Sequence, residues 1–264
     1  MNQRTARLQE IENLLREHDF GSIRDLAEMF AVSQMTIRRD LAQLEDLSVV
    51  RLVYGGAVYN RDYDAQNGDN GMRYVLDAQR AEHRQAKKAI GRRAASLVEE
   101  NDIIIVDSGT TTEAMVESIP KELPITILCY TANILDIVLN RPAWKLIMAG
   151  GYFHQSTRMF ESPEALNLIE RTRAHKAFIA SGGIDDRLGA TCVNQYETQT
   201  KKAVIRSSVS SILLADSSKF GKIEPSHYAE LEEFEAVITD SGIPPQYERL
   251  IRELGLELYI ADEE

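Results

Sequence analysis

Residues 32–44 read V-S-Q-M-T-I-R-R-D-L-A-Q-L, the pattern of one amphipathic helix opened by a cap. Ile37, Leu41 and Leu44 recur at three- and four-residue intervals and so share a helix face. Ser33 stands where an N-cap hydroxyl accepts from the first turn. A shorter stripe, Ile23, Leu26, Ala27 and Phe30, lies just upstream behind Gly21-Ser22, with Ser22 as its cap. Leu8, Ile11, Leu14 and Leu15 form another stripe before that. Downstream, V-V-R-L-V-Y-G-G-A-V at 49–58 holds two β-prone runs around Gly55-Gly56, the pattern of a hairpin. Three helices and a hairpin outline an α+β winged helix-turn-helix over residues 1–58.

The third helix suggests a ligand through what it leaves outside. With Ile37, Leu41 and Leu44 turned inward, Gln34, Thr36, Arg38 and Arg39 fall on the free surface. Gln pairs with adenine edges, Arg with guanine or phosphate, and small hydroxyls with phosphate. The candidate contacts to double-stranded operator DNA are therefore Ser22, Ser33, Gln34, Thr36, Arg38 and Arg39, with Arg51 and Tyr54 on the wing. The competing reading is a plain three-helix unit with a solvated face, since residues 1–60 carry a net charge of −2. A sequence reader needs only a locally positive docking face.

Beyond Tyr59 the sequence turns polar and rich in turn residues, Y-N-R-D-Y-D-A-Q-N-G-D-N-G at 59–71, with no apolar period. We take 59–79 as a connector and 80–264 as a second domain. Apolar runs there at Ile103–Val106, Ile125–Leu128, Lys145–Met148, Ala177–Ala180, Ile212–Leu214, Ala236–Thr239 and Glu257–Ile260 alternate with helical stretches. Those stretches include Thr111–Ser118, Ala132–Leu139, Glu197–Ser207 and Pro245–Leu254. The alternation predicts an α/β domain with a parallel sheet covered on both faces.

The first of these strands runs into Asp107, Ser108, Gly109, Thr110, Thr111 and Thr112 and then a helix. Unpaired N–H groups at a helix start favour an anion such as phosphate, and small hydroxyls add donors. An ordinary capped turn is the alternative. Other polar groups also follow strand-like runs, where ligands of open parallel sheets collect. They are Tyr130 and Asn133, Gly150-Gly151, Gly183 with Asp185, and Asp216 with Lys219. Glu197 and Lys201, one helical turn apart, either join this set or form an ion pair on a helix surface.

The strings V-S-Q-M-T-I-R-R-D-L-x-x-L and V-Y-G-G-A resemble the helix-turn-helix of the DeoR family of bacterial transcriptional regulators. D-S-G-T-T-T, Gly150-Gly151, the stretch Asn194 to Lys201 and D-S-S-K-F-G resemble its effector-binding domain, so the likeness spans nearly the whole chain. It implies a repressor of a carbohydrate or nucleoside catabolic operon, a second domain similar in fold to ribose 5-phosphate isomerase, and a phosphorylated sugar as effector. Cys129-Tyr130 with Asn133, Gly150–His154, Gly189–Asn194 and Ser218–Lys222 are similar to the branch repressing deoxyribonucleoside operons. That likeness implies a ligand resembling deoxyribose 5-phosphate. An isomerase would need a carboxylate base and a cation, which Glu197, Lys201, Asp185 and Lys219 could offer. The isomerase family's D-G-A-D-E and K-G-G-G runs are degenerate here, with S-G-G-I-D at 181–185, so binding without turnover and no catalytic residue is expected.

Composition sets the remaining bounds. The 264 residues carry a net charge of −11, which disfavours coating nucleic acid by bulk charge. No apolar run suits a membrane span or secretion signal, and Cys129 and Cys192 make no disulfide framework, so a cytoplasmic protein is expected. His154, His175 and His227 lack chelate spacing, so neither metal nor cofactor is expected. One helix-turn-helix reads a half-site, which predicts a symmetric homo-oligomer.

Overall fold

The computed structural model describes residues 3–18, 20–46, 49–53, 55–59, 76, 79 and 82–262. The chain divides into two compact units, Met1–Arg73 and Tyr74–Glu264.

The first unit contains α1 (Gln3–His18), α2 (Ile23–Met29) and α3 (Gln34–Asp46). Its strands β1 (Phe20–Ser22), β2 (Val50–Val53) and β3 (Gly56–Tyr59) pair antiparallel in the order β1-β3-β2. The three apolar stripes meet in one core, joined by Val49, Val50, Ala57 and Tyr59. Ser22 Oγ accepts from Asp25 N at 3.0 Å and Ser33 Oγ from Thr36 N at 3.1 Å, so both caps form. The strand β1 was not expected: Gly21-Ser22 serves as both helix separator and third strand of the wing. Asp40, 1% exposed on α3, pairs with Arg7 at 2.7 Å and Arg4 at 3.2 Å and so ties α3 to α1.

The second unit is built on seven parallel strands in the order β15-β14-β12-β9-β4-β5-β6. They are β4 (Ile103–Val106), β5 (Thr126–Cys129), β6 (Lys145–Met148), β9 (Ala174–Ala180), β12 (Ser208–Leu214), β14 (Ala236–Asp240) and β15 (Glu257–Ala261). All seven expected strands are present, the longer ones extended toward their polar ends. Helices α4 (Arg84–Ala95), α5 (Thr110–Ser118), α6 (Ala132–Val138), α7 (Pro163–Arg171), α8 (Glu197–Arg206) and α9 (Pro245–Glu253) flank them. Alternate residues of one strand enter different cores. Ile105, Ile179 and Leu213 belong to one, while Ile104, Phe178 and Ile212 belong to the other. That division is what a sheet covered on both faces requires.

Two additions were not anticipated. One is the hairpin of β7 (Tyr152–His154) and β8 (Met159–Glu161); the other is a small antiparallel sheet of β10 (Gly183–Asp185), β11 (Gly189–Cys192) and β13 (Ser226–Ala229). Among the described residues no helix is long and apolar enough to cross a membrane.

Candidate functional site

On α3 the inward face is sealed, with Ile37 and Leu41 at 0% exposure, while Gln34, Arg38 and Arg39 are exposed. Thr36 is half-buried and shares a 2.9 Å hydrogen bond with the Ser33 hydroxyl. Ser22 spends its hydroxyl on the α2 cap. Met35, 59% exposed, adds an apolar group to the same surface. The Arg51 side chain and Tyr54 lie outside the described residues.

In the second unit the carboxyl ends of β4, β9 and β12 sit side by side. Asp107 follows β4 and is 0% exposed, with both carboxylate oxygens occupied. Tyr130 OH donates to Oδ1 at 2.5 Å, and the Ala180 N–H donates to Oδ2 at 3.0 Å. Lys201, from α8, places Nζ 2.5 Å from Oδ2, 3.0 Å from the Ala180 carbonyl and 3.8 Å from Glu197 Oε2. Asn194 donates to Glu197 Oε1 at 2.7 Å and Ser108 to Oε2 at 3.4 Å. The surface ion-pair reading of Glu197 and Lys201 therefore fails, because both face inward and are buried.

Electrostatics follows from this burial. Desolvation raises the Glu197 carboxyl above its usual range, against the opposing effects of Lys201 and Asn194. For Lys201, desolvation alone would lower the pKa, but Asp107 and then Glu197 outweigh it and the ammonium is held more firmly than usual. A cleft beside this cluster is lined by Ser108, Ala180, Ser181, Cys192, Glu197 and Lys201, among others. Burial pushes the Cys192 thiol up to about 12, so it is no ready thiolate.

The loop after Asp107 divides. Gly109 caps α5 at φ +140°, where a Cβ would stand 2.9 Å from the Ala180 Cβ, so the position suits glycine. Thr112 donates its hydroxyl to the Gly109 carbonyl at 3.0 Å and is fully buried. Thr110 and Thr111 stand in the first turn, where the backbone N–H groups lack helical acceptors.

Other expected residues serve local structure. Asp185 Oδ1 accepts from Arg187 N and Leu188 N, both at 3.0 Å, and so shapes the β10–β11 turn. Gly183 lies within β10. Gly151, at φ +154°, passes the Glu161 carbonyl so closely that a Cβ would lie 2.2 Å from it. The Gly150 carbonyl accepts from the Ser162 hydroxyl at 2.9 Å. Asn133 donates to Glu113 at 2.7 Å. Asp216 and Lys219 follow β12, in and before the turn Ser217–Lys219. The sequence reading missed Lys87, Gln79 and Tyr228. Tyr228 donates to the Ala180 carbonyl at 3.2 Å, with Lys201 Nζ 5.1 Å from its ring centre.

Residues 7–62 match the DeoR-like helix-turn-helix domain and residues 82–241 match the DeoR C terminal sensor domain. The chain belongs to the DeoR family. It is thus a DNA-binding transcriptional regulator with a reader before a sensor. This DeoR-family chain is 29% identical over 244 residues to the deoxyribose operon repressor of Escherichia coli (strain K12), covering 92% of itself and 93% of that protein. It is 30% identical over 243 residues to the lactose phosphotransferase system repressor of Staphylococcus epidermidis, covering 89% and 92%. Among solved structures, ribose 5-phosphate isomerase A of Methanocaldococcus jannaschii overlaps 51% of this chain and 53% of its own, at 14% identity and a TM-score of 0.37.

Proposed function

We propose that this DeoR-family regulator is a cytoplasmic repressor that reads paired operator half-sites as a homo-oligomer and takes a phosphorylated sugar in its sensor domain. The observation that carries the sensor reading is a helix N-terminus, Gly109 to Thr111, opening beside the cleft lined by Ser108, Glu197 and Lys201. A phosphate bonds the unpaired N–H groups and the threonine hydroxyls; polar groups of the cleft serve the sugar hydroxyls. Deoxyribose 5-phosphate is the first effector to try, a choice supported by the strings around Tyr130, Gly150–His154 and Gly189–Asn194.

Turnover is disfavoured by how the charged groups are committed. Asp107 is engaged at both oxygens, and the Lys201 ammonium is held by Asp107 and the Ala180 carbonyl. Neither is free to move a proton on and off a sugar. Glu197, buried and protonated more readily than an ordinary carboxylate, is the base an isomerase would use. A thermal-shift panel of pentose, hexose and deoxypentose phosphates, with product analysis of each mixture, tests both readings. Stabilisation by one phosphate without conversion supports the sensor; conversion of that sugar overturns it.

A further inference from the structure

The two family segments leave residues 63–81 between them, the stretch that joins reader to sensor. Two of its residues, Leu76 and Gln79, are described, and both are fastened to the sensor. Gln79 accepts from Lys87 Nζ at its backbone carbonyl, at 2.6 Å, and from Lys219 Nζ at its side-chain oxygen, at 3.3 Å. Leu76 is fastened elsewhere: it is 1% exposed and donates its N–H to the Ser156 carbonyl at 3.1 Å. Ser156 lies in the turn 155–158 between β7 and β8, so the unanticipated hairpin holds this point of the connector.

The same turn is bonded to the cleft. Thr157, next to Ser156 and fully buried, shares a 3.1 Å hydrogen bond with the Tyr196 hydroxyl. Tyr196 also stacks on His154 of β7, with ring centres 3.7 Å apart and planes 6° from parallel. It directly precedes Glu197 and sits inside a turn that Asn194 closes twice. The Asn194 carbonyl accepts from the Glu197 N–H at 3.1 Å, and its side-chain amide donates to Glu197 Oε1 at 2.7 Å. The base of the hairpin, by contrast, is pinned to the end of β5. Phe160 N donates to the Tyr130 carbonyl at 2.7 Å and Ala132 N to the Arg158 carbonyl at 2.8 Å. Arg158 holds φ +55°, a conformation that costs a non-glycine residue and persists only where its surroundings impose it. A strained turn on a pinned base is an element that a contact at its tip can bias.

We propose that Tyr196 and the turn 155–158 form a relay from the cleft to the connector, with Thr157 as its joint. A ligand hydroxyl that bonds Glu197 displaces the Asn194 amide, and the turn carrying Tyr196 opens. The Tyr196 hydroxyl then leaves Thr157, the turn 155–158 relaxes, and Ser156 releases Leu76. Coupling between two sites needs an element whose equilibrium both of them bias, and this turn meets one site through Tyr196 and the connector through Leu76. The trigger rests on the sugar-phosphate reading above; the wiring does not.

The wiring is tested without ligand, by amide hydrogen exchange of the full chain read at Leu76 and at Ile105 and Leu213 of the sheet. Tyr196→Phe keeps the ring on His154 and removes only the hydroxyl. It should speed exchange at Leu76 by about threefold or more, the loss of one hydrogen bond, and leave Ile105 and Leu213 unchanged. Thr157→Val cuts the same bond from the other side and should do the same, so the inference can still be refuted where one variant fails to fold. Asn194→Ala opens the turn from the cleft side; it too should speed exchange at Leu76, and its effect should vanish in the Tyr196→Phe background. Unchanged exchange at Leu76 in the hydroxyl variants, faster exchange throughout the sheet, or additive effects of Asn194→Ala and Tyr196→Phe overturns the relay. Operator affinity, measured with deoxyribose 5-phosphate and the wider panel of sugar phosphates, then separates the relay from its trigger. A phosphate that shifts the wild type by about tenfold should bind Tyr196→Phe as well but shift its operator affinity by about threefold or less. A full response in Tyr196→Phe overturns the relay. No response to any phosphate in the wild type overturns the phosphosugar reading, and the exchange results alone decide the relay.

Discussion

Lys201 holds its ammonium 2.5 Å from the carboxylate of Asp107, with the two side chains 3% and 0% exposed. The contact fixes α8 to the end of β4 and so sets the wall of the cleft. A charge buried this deeply is tolerated only while its partner is present.

Asp107→Asn should therefore lower the stability of the sensor unit by about 3–5 kcal/mol, because it leaves the Lys201 ammonium unpaired. Urea unfolding followed by near-ultraviolet circular dichroism gives the number. A loss within the scatter of surface substitutions would mean that the Ala180 carbonyl and Glu197 suffice to hold the ammonium.

Glu197 gives the sensor a pH-dependent stability of definite sign. Burial raises its folded-state pKa above the ordinary 4.5, so the folded chain binds this proton more readily than the unfolded one. Stability from this group is then greatest below the unfolded value, falls as pH climbs through the folded value, and is level above it. Denaturation midpoints of wild type and Glu197→Gln, compared across that window, should converge at the acid end and part as pH rises. A constant difference would show that Glu197 titrates as it does in the unfolded chain.

In the reader, Arg38→Ala or Arg39→Ala should weaken operator binding by about 1–3 kcal/mol without lowering the melting temperature. Both side chains are exposed on α3, away from Ile37 and Leu41. Asp40→Ala is the contrasting variant: it strips Arg7 and Arg4 of their buried partner and should destabilise the whole unit. Gel-shift titrations beside thermal melts separate the two behaviours.

The phosphate cradle is best probed without altering the backbone. A side chain at Gly109 would meet Ala180 and strain a φ of +140°, so Gly109→Val mixes lost binding with distortion. Thr110→Val and Thr111→Val keep shape and remove only hydroxyls. Each should weaken a sugar phosphate by about tenfold or more and leave the parent sugar unaffected.

The parallel sheet was legible because buried strands must be apolar: Ile103–Val106 and Ala236–Ile238 are unbroken apolar runs bounded by polar residues. The antiparallel pieces were not, since Gly183–Asp185 and Gly189–Cys192 are three- and four-residue segments with no alternation to read. Helix α7 carried a signal that went unread, Ser162 as cap with Pro163 in the first turn; Ser162 Oγ accepts from Ala165 N at 2.9 Å. Helix α4 hides its inner face behind Ala86, Ala89 and Ala94, too small to stand out against its lysines and arginines. At the site, Asp107, Glu197 and Lys201 were named from the chain, but their depth was not. Lys87 and Gln79 could not be found at all, because their meeting with Lys219 depends on packing across the sheet edge.

The most direct measurement is the affinity for operator DNA, recovered by selection from genomic fragments, at fixed salt with each sugar phosphate and its dephosphorylated parent. At least one phosphate should change that affinity by about tenfold or more, a coupling of roughly 1.4 kcal/mol, while its parent sugar changes nothing. Equal affinity with every phosphate, or an equal effect of a sugar and its phosphate, would contradict the account of a phosphosugar-sensing repressor.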